Sequence, residues 1–169
     1  YRALQETRPP HIFVWGQSVH GQRARLPVSL SDRTMPMDVR IDQSLPAFTA
    51  CSLDDQPGDG DPDKGDAEGQ VNLYLYWDTE RVVDKPDRWE MTVGLVDQAP
   101  QTACTVNITP RRLQAFQPKA GTTLRWRNVP IGEGQTEQSG EIVVDELGLI
   151  TLEQVRVSKG QNRLSLTIR

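Results

Sequence analysis

Residues 89–95 read WEMTVGL, and residues 164–169 read LSLTIR. In both stretches apolar side chains alternate with polar or small ones, the period of two residues that buries one side of a β-strand. Residues 104–109 and 124–127 repeat the alternation. The four stretches predict half-buried strands, which are typical of antiparallel sheets that pack one face on a core.

Turn residues separate further strand patterns along the chain, so we predict an all-β protein, an antiparallel β-sandwich with minimal helix. Residues 71–77 are apolar on both sides, which predicts a central strand. A change in apolar parity predicts a β-bulge near Glu153 or Gln154, and a short helical turn is expected at Arg111–Phe116. Other strands are predicted at residues 12–15, 25–30, 37–41, 139–144 and 149–157.

Length and composition suit one domain or two small ones. The 169 residues are 36% hydrophobic, which is enough for a sizeable core. The stretch at 97–102 interrupts two strand patterns, so we predict an N-terminal β-rich unit at 1–101 and a C-terminal β unit at 102–169, or one continuous domain. Because the chain begins at Tyr1 without a leader pattern, we expect a segment of a longer protein.

Charge and hydropathy argue against two classes of partner. The formal net charge is −4 at pH 7, whereas nucleic acids and anionic membranes require a basic surface, so we predict no nucleic acid partner. No apolar run approaches the roughly 18 residues of a transmembrane helix, so no membrane span is predicted.

The charge is concentrated in one loop. Residues 54–69 read DDQPGDGDPDKGDAEG, with six Asp, one Glu and one Lys, so this loop carries −6 while the other residues sum to +2. Gly and Pro exclude regular structure there. Carboxylates on a Gly-rich loop suit Ca²⁺, which binds six to eight oxygens. The candidate calcium ligands are Asp55, Asp59, Asp61, Asp63 and Asp66.

The calcium interpretation has an alternative. Asp59, Asp61 and Asp63 have the first three spacings of an EF-hand loop, but Lys64 and Gln70 stand where that motif requires Gly and Glu. The other interpretation is a solvated acidic loop that binds nothing specifically.

The two cysteines, Cys51 and Cys104, are predicted to form a disulfide that closes about 50 residues and stabilises the fold by roughly 4 kcal/mol. Such a bridge would place the protein in an oxidising compartment: secreted, periplasmic or at the cell surface. The alternative is two independently buried thiols.

No catalytic residue is assigned. Residues 16–21 read GQSVHG, which approaches the nucleophile elbow G-x-S-x-G, but His20 stands where the second Gly is required. Only His11 accompanies His20 in the whole chain. Asp84 and Asp87 would suit a retaining glycosidase only at a separation of about 5 Å.

Aromatic residues supply a second candidate site. If one face of the 71–77 strand were open, Tyr74 and Tyr76 would form a carbohydrate-binding strip, and they would otherwise pack in the core. Trp15 and Trp77 are further candidate carbohydrate-binding residues. Trp126 is expected to face inward, between outward-facing arginines at 125 and 127.

In the C-terminal stretch, turn residues and strand patterns follow one another in a characteristic order. Thr109-Pro110-Arg111-Arg112 is followed by Gly121, Trp126 and Gly140, then by DELGLIT at 145–151 and GQNRL at 160–164. This pattern, over roughly the last 40% of the chain, resembles the immunoglobulin-like or fibronectin-III-like accessory modules of secreted bacterial hydrolases. The resemblance implies a non-catalytic module that spaces, supports or targets a neighbouring enzyme.

We therefore predict a non-catalytic accessory module of a secreted bacterial hydrolase that acts as a spacer or as a carbohydrate-targeting unit. Its expected partners are the neighbouring domains of the same chain and polysaccharide. Two alternatives stay open: the C-terminal part of a catalytic domain that uses His11, His20 or the acidic loop, and a cell-surface adhesion or assembly module.

Calcium should stabilise the folded chain, because a divalent cation relieves the mutual repulsion of the carboxylates at 54–69. At 100 times the dissociation constant the gain is roughly 2.7 kcal/mol. Thermal unfolding with calcium, magnesium and matched ionic strength measures it, and Asp61→Ala with Asp63→Ala should abolish the increment. A melting point that calcium raises no more than magnesium does would mean a solvated loop instead.

Overall fold

The computed structural model describes residues 40–53, 74–132 and 137–169. These ranges contain no helix and form two packed antiparallel sheets, which confirms the all-β sandwich. The strands are β1 (Leu45–Thr49), β2 (Leu75–Lys85), β3 (Arg88–Leu95), β4 (Ala103–Arg111), β5 (Thr123–Pro130), β6 (Gln138–Val143), β7 (Leu152–Ser158) and β8 (Gly160–Ile168).

The strand order mixes early and late parts of the chain. The smaller sheet has the order β1-β4-β7 and the larger one has the order β2-β3-β8-β5-β6. Strands from both sides of residue 101 therefore share each sheet, and residues 96–102 connect the end of β3 in the larger sheet to the start of β4 in the smaller one.

The core lies between the two sheets and contains the apolar positions that the alternation predicts. Trp89 is fully buried, and its indole N–H donates to Ser44 Oγ (2.9 Å), which ties β3 to the residue before β1. Trp126 faces inward too, but it is only partly buried. The fully buried side chains include Met91, Val93, Val106, Ile108, Leu124, Val155, Val157, Leu164 and Leu166.

The predicted bulge in β7 is confirmed. Val106 pairs with Val155, but Ile108 pairs with Leu152, so β7 has one residue more than its partner β4 between these pairs. Gln154 takes up the extra length with a positive φ of 51°, and its N–H donates to Asn107 Oδ1 at 2.9 Å. The bulge lets the apolar residues on both sides of it face the core.

Among the described strands, β2, which contains residues 75–77 of the stretch predicted as central, lies at the edge of its sheet. Within the described ranges β2 pairs with β3 alone, yet residues 75–79 are all buried. Trp77 faces the core, where its ring lies 6.3 Å from that of Phe48, and Tyr76 lies on the outer face over Gly94. Its apolar character on both sides agrees with the burial of both of its faces.

The predicted turn of helix at Arg111–Phe116 is not present. Pro110 and Arg111 still belong to β4, and Arg112 adopts a positive φ of 55°, which interrupts any helical start. The predicted strands at 12–15 and 25–30 lie outside the described residues. Of the prediction at 37–41, residues 40 and 41 are described and are not in a strand.

One glycine is required by a close approach. A Cβ at Gly94 would overlap the carbonyl oxygen of Gly160 and lie 2.7 Å from the Tyr76 ring. The Tyr76 hydroxyl donates to the same carbonyl oxygen at 3.1 Å. Gly94 therefore lets an aromatic side chain cross the sheet surface and link β2 to the start of β8.

Gly94→Ala should lower the free energy of unfolding by about 2 kcal/mol or more, because a backbone carbonyl cannot move away from the added methyl group. Gly140→Ala is the control. The three atoms nearest to its Cβ would all belong to the Trp126 side chain, the closest at 2.9 Å, so we expect a loss below about 1 kcal/mol. Urea unfolding of both variants tests this, and equal losses would contradict the close-approach argument.

Candidate functional site

The outer face of the five-stranded sheet presents rows of arginine and hydroxyl side chains. Because Trp89 and Leu166 face the core, the residues beside them in β3 and β8 face outward. Thr167 lies directly between Arg88 and Arg125. The next row places Ser165 between Glu90 and Arg127. We call the outward side chains of β3, β8, β5 and β6, with Arg169 after β8, the arginine face.

Each glutamate on the arginine face serves two arginines. Glu90 contacts Arg163 at 2.7 Å and Arg88 at 3.3 Å. Glu141 contacts Arg169 at 3.6 Å and Arg125 at 3.9 Å. The side chains of Arg125 and Arg169 are more than 60% exposed, and exposed ion pairs contribute only about 0–1 kcal/mol. These arginines are therefore available to another anion at little cost.

Arg163 holds the face together. Its Nη1 donates to Thr92 Oγ1 (3.0 Å) and to the carbonyl oxygen of Arg81 (2.7 Å). Arg81 lies in the irregular stretch of β2 between Asp78 and Val83, where the register with β3 shifts. Arg163 therefore fastens this stretch to the sheet, and we assign it a structural role.

A groove opens beside the end of β4, away from the arginine face. Its volume is about 370 Å³, and Arg111, Arg112, Leu113 and Leu149 are among the residues that line it. Arg112 donates from Nη1 to the Ile41 carbonyl oxygen, and Phe116 at its base is fully buried. The groove is open and of mixed polarity, with no cluster of acid and base side chains.

Asp84 binds the backbone of the loop at 114–116 through hydrogen bonds. Its Oδ1 accepts from the N–H groups of Phe116 (2.7 Å) and Ala115 (3.0 Å), and its Oδ2 accepts from that of Gln114 (2.7 Å). Asp87 lies exposed in the turn between β2 and β3. This arrangement gives Asp84 a structural task and not that of a glycosidase acid or base.

The described residues of the predicted carbohydrate site are buried or partly buried. Tyr76 and Trp77 are 4% and 3% exposed, and Tyr74 is partly buried against the core. The physical reason is that one face of β2 packs on the core and the other lies over Gly94. Trp15 lies outside the described residues.

The predicted Cys51–Cys104 disulfide is not formed in the structure. Both residues are buried, and their sulfur atoms are not at bonding distance. Thr49 pairs with Asn107, but the Ser52 N–H donates to Thr105 O (2.9 Å), so β1 gains one residue on β4 where Ala50 has a positive φ of 52°. The register of Thr49 with Asn107, when continued, already places Cys51 opposite Thr105 and not opposite Cys104, and this step adds one more residue of offset.

Other candidate residues fall outside the described ranges. They are His11, His20 and the predicted calcium ligands Asp55, Asp59, Asp61, Asp63 and Asp66. Within the ranges that are described, no three His, Cys, Asp or Glu side chains are grouped to hold a metal ion. The same part of the chain has no helix long and apolar enough to cross a membrane.

Sequence reasoning missed the arginine face as a site. Alternation predicted that Arg125 and Arg127 face outward, but it could not show which strands flank them. The signal was present at 163–169, where arginine, serine and threonine alternate with apolar residues. In comparisons with known proteins, no family model, curated protein or solved structure matches this chain.

Asp84→Asn should destabilise the protein by about 2 kcal/mol, because the amide retains one acceptor oxygen for three backbone donors. Asp87→Asn, which removes an exposed carboxylate in the same turn region, should change stability by less than about 0.5 kcal/mol. Urea unfolding compares the two. Similar small effects in both variants would show that the carboxylate does not hold the loop at 114–116.

Both thiols should react with a thiol reagent only after denaturation, since Cys51 and Cys104 are buried and unbridged. The measurement is reagent uptake in buffer and then in denaturant, without a reductant. Absence of any thiol in denaturant would instead establish the disulfide that the sequence predicts.

Proposed function

We propose that this chain is a non-catalytic accessory β-sandwich module of a secreted bacterial hydrolase, and that it holds its enzyme on polysaccharide. The observation that carries the proposal is the arginine face, a broad polar surface on the larger sheet. Its rows place Thr167 between Arg88 and Arg125, and Ser165 between Glu90 and Arg127.

The chemistry of this surface suits a sugar polymer. Hydroxyl side chains both donate and accept hydrogen bonds, and guanidinium groups donate several in a fixed plane, so together they can satisfy sugar hydroxyl and acid groups. Regular strands hold these side chains at fixed spacings, which favours recognition of a repeating ligand.

Other features support an accessory role. The order of turns and strands after residue 109 resembles immunoglobulin-like or fibronectin-III-like modules, and the two-sheet architecture is the one such modules use. Asp84 and Glu90, which could otherwise act as acids or bases, bind backbone N–H groups and arginines instead.

The same proposal includes secretion of the protein and binding of calcium by the loop at 54–69. A rigid sandwich with a calcium-stabilised loop suits a module exposed outside the cell. The buried thiols are compatible with an oxidising compartment, because reagents attack the exposed thiolate form of cysteine.

Affinity electrophoresis in gels that contain neutral or acidic polysaccharides tests the proposal. We expect at least one polysaccharide to retard the chain, and we expect Ser165→Ala with Thr167→Ala to weaken the retardation about threefold or more by loss of hydrogen bonds. Thr102→Ala, at an exposed position between β3 and β4, is the matched control. Migration unaffected by every polysaccharide would reject the targeting role.

A further inference from the structure

We infer that the polysaccharide recognised by the arginine face is anionic, a polymer that carries carboxylate or sulfate groups. This inference rests on the proposed function and specifies its ligand. It comes from the charge and spacing of the outward side chains.

The arginine face is positive although the chain as a whole is negative. Its outward positions contain five arginines against two glutamates, Glu90 and Glu141, which gives the face a net charge of +3. The whole chain has a net charge of −4. A positive surface on an acidic protein favours an anionic ligand over a neutral one. The five arginines are Arg88, Arg125, Arg127, Arg163 and Arg169.

The spacing suits a repeated anion. Arg88 and Arg125 lie on strands to either side of the one that carries Thr167, so their backbones are separated by two strand spacings, about 10 Å. Each guanidinium can bind a carboxylate or a sulfate through two parallel hydrogen bonds. A polymer lying across the strands therefore meets two guanidinium groups with a hydroxyl group between them.

Neutral sugars fit this face less well. Protein sites for neutral rings depend on stacking with aromatic side chains, and the outward positions of β3, β8, β5 and β6 contain no aromatic residue. The charged groups must then supply the binding energy. Exposed ion pairs such as Arg125–Glu141 are weak enough to be exchanged for a ligand anion.

Nucleic acids and acidic proteins fit the face less well too. Binding to single strands uses aromatic platforms, and duplex recognition uses an element that enters a groove. The arginine face is instead a surface of four strands whose outward positions contain no aromatic residue. Protein interfaces are commonly anchored by buried aromatic residues, which the face also lacks.

Isothermal titration of the full chain tests the inference with four probes: dextran, dextran sulfate, polygalacturonate and duplex DNA. We expect binding to one or both acidic polysaccharides, weakened by sodium chloride as screening increases. Arg125→Gln with Arg127→Gln should reduce that affinity about tenfold or more, because two charge-assisted contacts are lost. Lys119→Gln with Lys159→Gln removes the same charge outside the face and should change affinity less than about twofold.

The outcomes separate this inference from the proposed function. Binding to dextran sulfate alone or polygalacturonate alone identifies the acid group and supports the inference. If dextran binds as well as the acidic polymers, or if both double variants lose equal affinity, the inference is overturned while carbohydrate targeting stands. Tighter binding to DNA than to either acidic polysaccharide overturns it in favour of nucleic acid, and binding to no polysaccharide overturns both.

Discussion

The packing of the two sheets through the apolar side of β3 and β8 is the constraint on which the rest of the structure depends. Trp89 and Leu166 are cross-strand partners and are both fully buried between the sheets. Since successive side chains of a strand point to opposite faces, burial of these residues sets the outward direction of Arg88 and Thr167. A register slip of one residue would bury arginines and expose the core, so packing defines the arginine face as well as the fold.

Polar side chains position the segments that the sheets alone do not hold. Asp84 binds three successive backbone N–H groups, and Asn128 donates from Nδ2 to Arg156 O (2.7 Å), which joins the two sheets between β5 and β7. Asn162, which is fully buried, binds Ser158 through both its amide oxygen and its amide nitrogen at the turn into β8. Hydrogen bonds of this kind satisfy backbone groups where the chain leaves one sheet for the other.

The fixed positions of the side chains on the larger sheet bear on the proposed function. Side chains carried by paired strands have fixed spacings, and Arg163 further fixes the outer surface of β2, β3 and β8. A ligand that repeats along its length can use such a surface without any rearrangement of the protein, so that binding requires little ordering of the backbone. The excess of arginine over glutamate leaves the surface positive, and the exposed guanidinium groups can exchange partners.

Local sequence determined the identity of the strands and the direction of their side chains. Alternation at 89–95 and 164–169 predicted which residues are buried, and the parity change near Gln154 predicted the bulge, because both patterns arise from the geometry of a single strand. The helical turn predicted at 111–116 does not form because Asp84, a residue distant in sequence, binds the backbone N–H groups of that loop.

Tertiary structure alone decided which strands are neighbours. The burial of Tyr76 depends on Gly94 and Gly160, which lie far apart in sequence. The row of Arg88, Thr167 and Arg125 likewise joins three strands that are distant from one another in sequence. The offset of Cys51 from Cys104 also follows from the register of β1 on β4, which the backbone step at Ala50 increases by one residue. Cross-strand partners are set by the packing of whole sheets, and a pattern with a period of two residues contains no information about which strand lies beside it.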